Sequence, residues 1–155
     1  MAGKLNLDKL DLQIIQIMME DAGISYADLG KQLFVSGGTI HVRIKKLQEI
    51  GIVKGTRLNV DLKLLGYDIT AFVGIFLEKS SLYDQVAEDL KKIPEIVRLN
   101  YTTGNYSMFL EVLAKDITQL RYVLHDQLQK IKGIERTETF ISLDESFNRH
   151  VPVAG

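Results

Sequence analysis

The sequence contains a local group of basic side chains that could bind a polyanion. Between positions 31 and 57 there are six Lys or Arg residues and one acidic residue, Glu49, although the whole chain carries a net charge of −1. A positive patch on a nearly neutral chain favours a site for a phosphate-rich ligand. A solvated helix face would have the same composition. The six residues are Lys31, Arg43, Lys45, Lys46, Lys54 and Arg57.

A second group of polar and aromatic side chains could bind a small zwitterion. The segment from Tyr101 to Ser107 places hydroxyl groups, one amide and two aromatic rings around Gly104. Backbone N–H groups of such a loop can bind a carboxylate, and its side chains can bind an ammonium or amide group. The alternative is a polar turn that only closes a hairpin. Further residues that suit an amino-acid-sized ligand are Thr137, Glu138, Thr139, Tyr122, His125 and Gln129.

Catalytic and metal-binding chemistry has little support in this sequence. The three histidines, His41, His125 and His150, have no companions at metal-ligand spacing. The chain has no cysteine, no P-loop and no Gly-x-Gly-x-x-Gly segment. We therefore expect a protein that is not an enzyme and that holds no metal or cofactor.

The basic group falls on a predicted helix-turn-helix. Apolar residues recur at helical spacing from Asp8 to Met19. Ser25 can cap a second helix, and Ser36 can cap a third helix that continues to about Ile50. Two helices joined by a short turn, after a first stabilising helix, form the helix-turn-helix arrangement.

The third helix has one apolar stripe and one polar face. The stripe consists of Ile40, Ile44 and Leu47. Lysines on the opposite face can neutralise DNA phosphates, and the glycines at the helix start let that end approach the major groove. An exposed Val42 could touch thymine methyl groups, although one exposed valine needs no explanation. The predicted DNA-binding residues are Ser36, Gly38, Thr39, His41, Val42, Arg43, Lys45, Lys46, Lys54 and Arg57.

The rest of the chain predicts a short wing and a second domain. Residues 52–60 alternate with β-branched residues and read as a strand or small wing that carries Lys54 and Arg57. Strands are predicted at 68–78, 96–102, 106–113 and 134–143, with helices at 82–93 and 117–131. The second helix would bury Ile117, Leu120, Leu124, Leu128 and Ile131. The order βαββαβ indicates an α+β chain with a ferredoxin-like C-terminal domain.

Both faces of the predicted sheet are apolar. In the third strand Met108, Leu110 and Val112 point to one face, whereas Phe109 and Leu113 point to the other. Helices can cover only one face, so the second face predicts a homodimer through the sheets. A two-fold dimer would present two recognition helices to a pseudo-palindromic site in double-stranded DNA.

Several stretches together resemble the Lrp/AsnC (feast/famine) family of bacterial and archaeal transcription regulators. They are Ser36 to Arg43, Leu65 to Asp68, Tyr101 to Ser107, and Thr137 to Thr139. The resemblance covers nearly the whole chain. It implies a winged helix-turn-helix in residues 1–63 and an effector-binding, oligomerising domain of the ferredoxin-like RAM type in residues 64–155.

The resemblance also implies the effector site and the assembly. Dimers of this family commonly associate into octamers, with a small amino acid bound between dimers. The residues that inherit effector binding are Tyr101, Gly104, Asn105, Tyr106, Ser107 and Thr137, and Gln129 is added because its amide could pair with an asparagine side chain.

Two departures from the family pattern bear on function. Many members carry an aspartate where this chain has Ser107, and a serine offers no full charge to an ammonium group. A serine at position 107 resembles the pattern of the asparagine-responsive branch of the family, so asparagine is the expected effector. In addition, the recognition helix opens with Ser36-Gly37 where Ser-Pro is usual, which makes its start less preorganised.

The remaining expectations concern location and a rival function. No apolar stretch is long enough to span a membrane, and the N-terminus lacks a signal-peptide core, so a cytoplasmic protein without a membrane partner is expected. The rival is an architectural protein of the same fold that packages DNA without an effector. The basic patch fits that alternative equally well.

Overall fold

The computed structural model describes residues 6–154 as two compact units. One unit contains the chain up to Asn59 together with the residues from Phe147 onward, and the other is Val60–Ser146. In the first unit the backbone N–H of Val153 donates to Gln16 Oε1 at 2.8 Å. The division expected from the sequence, at residues 1–63 and 64–155, places this tail in the second domain and stays a prediction.

The first unit contains three helices, α1 (Lys9–Glu20), α2 (Tyr26–Leu33) and α3 (Gly37–Glu49). Each helix begins after a residue whose side-chain oxygen accepts from the N–H three residues later, and these caps are Asp8, Ser25 and Ser36. Such caps satisfy donors that a helix start otherwise leaves free. The predicted helix starts are therefore confirmed.

The core of this unit forms where the three helices cross. Ile14, Leu29, Ile40 and Ile44 are buried together, which confirms the apolar stripe of α3. At the α2–α3 crossing, a Cβ on Gly30 would lie 2.6 Å from the carbonyl oxygen of Val35. Only a glycine therefore allows the turn to fold back so closely.

The segment after α3 corrects the sequence prediction. Residues 52–60 form no strand. The N–H groups of Ile52 and Val53 both donate to the carbonyl of Leu47, and residues 54–60 are exposed. Alternating β-branched residues favour an extended chain, but a strand also needs a neighbouring strand for its hydrogen bonds. Within residues 6–154 no strand pairs with this segment.

The second unit is a four-stranded antiparallel sheet with helices on one face. Its strands are β1 (Ile69–Leu77), β2 (Ile96–Tyr101), β3 (Met108–Ala114) and β4 (Ile134–Ile141). The spatial order is β2-β3-β1-β4, so β1 and β3 are central. A 3₁₀ turn (Ser80–Leu82) leads into α4 (Tyr83–Leu90), and α5 begins at Ile117. This is the predicted βαββαβ fold.

The core of the second unit lies between the sheet and the helices. One face of β1 and β3 contributes alternate residues, for example Val73 and Leu110, and the helices contribute Val86, Leu90 and Leu120. None of the helices described within this unit covers the other face of the sheet, which carries an aromatic group that we call the open-face cluster. Its members are Phe72, Phe76, Tyr106, Phe109 and Phe140.

The second long helix differs from the regular helix that the sequence predicts. It consists of α5 (Ile117–Arg121), a π-helical segment (Tyr122–Gln127) and a 3₁₀ turn (Leu128–Lys130). Ile117 is 59% exposed, whereas Val123, which the predicted stripe omits, is buried. The wider π turn lets Val123 and Leu128, five residues apart, face the same core. Among residues 6–154 no helix is long and apolar enough to cross a membrane.

Candidate DNA-binding and effector sites

The outward face of α3 carries most of the predicted DNA-binding residues. Gly38, His41, Val42, Lys45 and Lys46 are exposed, opposite the buried stripe of this helix. Val42 is 67% exposed, so this apolar side chain does point into solvent. Neither lysine forms an ion pair with any residue that the structure describes. This face therefore offers free positive charge and one apolar contact.

The start of α3 is held by its own hydroxyl groups. Ser36 Oγ accepts from the Thr39 N–H at 3.0 Å and lies 2.9 Å from Thr39 Oγ1. These two side chains are therefore engaged in the cap, and what they present outward is limited. His41 lies with its ring 5.8 Å from the ring of Tyr26, at the start of α2.

Arg43 forms ion pairs with two aspartates. Its Nη1 donates to Asp8 Oδ2 at 2.6 Å and to Asp11 Oδ1 at 2.8 Å, and Asp11 is buried. The hydrogen bond from Arg43 is the main reason that the pKa of Asp8 lies below its usual value, and the two carboxylates raise the pKa of Arg43. Its guanidinium therefore joins α3 to α1, and its predicted contact with DNA stays a prediction.

Lys54 and Arg57 lie in the irregular segment after α3. Both are exposed, and between them Gly55 has a φ of +143°. Neither side chain forms an ion pair within the described part of the chain. The structure leaves both cations free but does not fix them in a wing.

The predicted effector loop joins β2 to β3 and is tied together by its own backbone. The Thr102 N–H donates to the Ser107 carbonyl at 3.2 Å, and Thr102 Oγ1 donates to the Tyr106 carbonyl at 2.8 Å. The Ser107 N–H donates to the Ile75 carbonyl of β1 at 2.8 Å. At the tip, Gly104 has a φ of +103°, which few other residues adopt, and Asn105 is exposed.

The side chain of Tyr106 leaves this loop and lies on the open face of the sheet. Its hydroxyl donates to Glu138 Oε2 at 2.7 Å. That hydrogen bond is the main cause of a raised pKa for Tyr106, and it also lowers the pKa of Glu138, helped by Arg136. Sequence reasoning did not find this pairing. The period-two alternation of β4, which sets Arg136, Glu138 and Phe140 on one face, is the signal that points to it.

The other predicted effector residues are not gathered into one pocket by a single chain. Tyr101 is 61% exposed and lies against the ring of Tyr83 at 4.5 Å. Thr137 pairs in register with Ile75, so it lies on the helix-covered face, opposite to Tyr106. Gln129 is exposed on the 3₁₀ turn. One copy of the chain thus brings together the loop and Tyr106, but not all seven residues.

Two clefts in the second unit are lined by other residues. The larger, about 500 Å³, lies between the helices, and the smaller, about 320 Å³, lies beside the start of β2. None of the predicted effector residues lines either cleft. Within residues 6–154 no group of His, Asp or Glu side chains is arranged to hold a metal ion.

The sequences of both parts of the chain match known protein families. Residues 7–54 match the family described as "Winged helix-turn-helix DNA-binding", and residues 70–152 match "Lrp/AsnC ligand binding domain". The two matches meet the DNA-binding and ligand-binding expectations for the two parts of the chain.

Comparison with individual proteins gives the same family. The chain is 42% identical to Regulatory protein AsnC of Haemophilus influenzae over 146 residues, which cover 94% of this chain and 97% of that protein. It is 40% identical to Regulatory protein AsnC of Escherichia coli over 145 residues, 94% of this chain and 95% of that protein. Both relatives are named as regulatory proteins.

Solved structures agree with the fold. The structure of E. coli AsnC superposes with a TM-score of 0.89 at 39% identity and covers 94% of this chain and 98% of that chain. A regulator from Neisseria meningitidis, solved as an L-Met complex, superposes with a TM-score of 0.87 over 95% of both chains. At 21% identity it supports the fold alone. The chain is a DNA-binding transcription regulator with a C-terminal ligand-binding domain, and it belongs to the Lrp/AsnC family.

Proposed function

We propose that this regulator binds pseudo-palindromic DNA as a homodimer, or as an octamer formed by four such dimers, and that asparagine modulates its DNA binding or assembly. The observation that carries the choice of asparagine is Ser107, a neutral residue in the effector loop, in a chain about two-fifths identical to the AsnC proteins. The Ser107 hydroxyl can form a hydrogen bond with the polar, uncharged side chain of asparagine. It offers no full negative charge to an ammonium group.

The DNA contacts in this proposal divide by chemistry. Lys45, Lys46, Lys54 and Arg57 neutralise phosphates, because all four are exposed cations with no protein partner in the described residues. Gly38, Thr39, His41 and Val42 approach the bases at the start of α3, next to the cap of Ser36. Arg43 is left out because Asp8 and Asp11 already bind it.

The effector contacts in this proposal centre on the loop. Gly104, Asn105 and Ser107 offer backbone N–H groups and polar side chains to the amino acid, with Tyr101 and Tyr106 beside them. Thr137 and Gln129 complete the site only if a second copy of the chain approaches. This requirement fits effector binding between dimers.

The homodimer in this proposal uses the open-face cluster. Four phenylalanine rings and one tyrosine ring on an uncovered sheet face form an apolar surface that a second copy can cover. Two-fold symmetry pairs the same surface with itself and presents one α3 from each copy to the DNA.

A thermal melt against the twenty amino acids tests the effector. An amino acid present at one hundred times its dissociation constant adds about 2.7 kcal/mol of stability, which raises Tm measurably. We expect asparagine to give the largest shift and aspartate a smaller one. Methionine belongs in the comparison because the Neisseria regulator was solved with it.

The outcomes separate the rival functions. A shift with another amino acid would keep the regulator and reject asparagine. No shift with any amino acid, in protein that still binds DNA with little sequence preference, would support the DNA-packaging alternative.

A further inference from the structure

Four side chains in contact form a network that crosses the open face of the sheet and ends at the effector loop. They are Phe76, Arg136, Glu138 and Tyr106. Tyr106 donates its hydroxyl hydrogen to Glu138 Oε2 at 2.7 Å, and Arg136 Nη1 donates to Glu138 Oε1 at 2.5 Å. The Arg136 guanidinium in turn lies 3.4 Å above the ring of Phe76. Both oxygens of Glu138 are therefore held, one by each neighbour.

The ring of Tyr106 is fixed on the sheet by its surroundings. It lies directly over Gly74 of β1, where a Cβ would come within 2.4 Å of the ring. The ring of Phe76 meets it edge-on at 5.2 Å, and Phe109 and Phe140 lie at 5.9 and 6.3 Å. The glycine leaves room for the ring, and the hydroxyl bond to Glu138 fixes its direction.

The backbone of the same residue belongs to the effector loop. The Tyr106 carbonyl accepts from Thr102 Oγ1 at 2.8 Å, and the next N–H, of Ser107, donates to the Ile75 carbonyl at 2.8 Å. The ring that is fixed on the sheet and the backbone that closes the loop therefore belong to the same residue, so the contacts of the ring can constrain the loop. No other residue of the loop has a side-chain hydrogen bond to the open sheet face in the part of the chain that is described.

We propose that Glu138 and Arg136 are positioning residues of the effector site, which act through Tyr106 to hold the loop in the conformation that binds the amino acid. The two residues need not touch the effector. Their influence passes through the Tyr106 hydroxyl and then through the loop backbone. This inference rests on the proposed function, because it assumes that the loop binds an amino acid.

A double-mutant cycle on the full-length protein tests the proposal. The dissociation constant of asparagine is measured by isothermal titration calorimetry for wild type, Glu138→Gln, Tyr106→Phe and the double variant. Loss of a hydrogen bond to a charged group predicts about a tenfold weaker affinity for each single variant. Glutamine has one acceptor oxygen for the two donors Tyr106 and Arg136, so both single changes disturb the same network. The double variant should therefore also be about tenfold weaker and not about a hundredfold weaker.

Glu135→Gln is the matched control. Glu135 lies on the same strand, is exposed and forms no ion pair within the described residues, so its substitution removes the same charge and should leave the dissociation constant unchanged. Glu138→Gln binding asparagine as tightly as wild type, or losses that multiply in the double variant, would overturn the positioning role. If Glu138→Gln does not fold, Arg136→Met replaces it, because this change removes the other donor to Glu138. An affinity for asparagine equal to that of wild type would then overturn the positioning role.

Failure of the proposed effector is distinguishable from failure of this inference. If wild type binds another amino acid in place of asparagine, the cycle is run with that amino acid and only the effector identity has failed. If wild type binds none of the twenty, both the effector function and the positioning role are rejected.

Discussion

Phe34 occupies a backbone conformation that disfavours its side chain. It directly follows α2, two positions before the α3 cap, with φ +57° and ψ +39°, and it is 95% exposed. A left-handed conformation costs about 1–2 kcal/mol for a residue with a Cβ, and the exposed ring gains no packing in return. Its N–H still donates to the Lys31 carbonyl, so the turn itself is satisfied.

We expect Phe34→Gly to stabilise the protein by about 1 kcal/mol, because glycine adopts this conformation without strain. The greater flexibility of glycine in the unfolded state offsets part of this gain. Urea unfolding measures the change as a higher midpoint with an unchanged slope. Phe34→Ala is the control, since it removes the ring but keeps the Cβ. Equal stability of the glycine and alanine variants would show that the backbone is not strained.

Lys46 tests the proposed phosphate-binding face of α3. We expect Lys46→Ala to weaken binding to specific and unrelated DNA by a similar factor, and to reduce the salt slope of the affinity by about one unit. Fluorescence anisotropy at several salt concentrations gives both numbers. Lys132→Ala, a change in the second unit, should leave the slope as it is, and a wild-type slope in Lys46→Ala would remove this lysine from the phosphate contacts.

At the scale of elements, Arg43 joins the recognition helix to α1. Its side chain is 29% exposed, whereas that of Asp11 is only 4% exposed, so Asp11 depends on it for charge compensation. We expect Arg43→Met to destabilise the protein by about 2 kcal/mol at pH 7, because a buried carboxylate loses a charged donor. Urea unfolding checks this value. Lys31→Met, which breaks the exposed pair with Asp28, should change stability by less than about 0.5 kcal/mol.

The same contact predicts a difference in pH dependence. The pKa of Asp8 is lowered in the folded state, mainly by Arg43, so its stabilising contribution is present above the unfolded pKa and is lost as pH falls. Between about pH 5 and pH 3, wild type should therefore lose more stability than Arg43→Met. Parallel curves for the two proteins would contradict the ion pair.

The elements also show how far local sequence signals reach. Three helix starts were predicted correctly from the caps Asp8, Ser25 and Ser36, because a cap contacts an N–H group only three residues later. Residues 52–60 were predicted as a strand or a small wing, and only the strand is absent, because an alternating pattern does not supply a partner strand. The helix from Ile117 failed in detail, since a π segment changes which residues face the core. Likewise, the loop from Tyr101 to Ser107 was predicted as one unit, but the bond from Tyr106 to Glu138 spans 32 residues and needs the sheet register.

At the scale of the whole molecule, the open-face cluster is the surface through which we propose that copies of the chain assemble. Phe72 and Phe109 lie stacked at 6.0 Å on the two central strands, with Phe140 on the edge strand 48% exposed. Tyr106 connects this surface to the effector loop. An amino acid that shifts the loop would thereby shift the surface on which a second copy packs, and the coupling must be equal in both directions.

We expect Phe109→Glu to convert the proposed dimer into a monomer. Two-fold symmetry would place the new carboxylate near its own copy on an apolar surface, which costs several kcal/mol and raises the dimer dissociation constant by about a hundredfold or more. Sedimentation velocity measures the assembly, and circular dichroism checks that the sheet is intact. Affinity for a two-half-site DNA should fall as well, because two linked recognition helices bind with a high effective concentration that single ones lack.

Phe147→Glu is the control, since that phenylalanine is 74% exposed and belongs to the tail of the first unit. A Phe109→Glu protein that sediments as wild type would place the dimer interface on another surface, whereas a monomer that binds DNA as tightly as wild type would keep the interface but remove the need for two recognition helices.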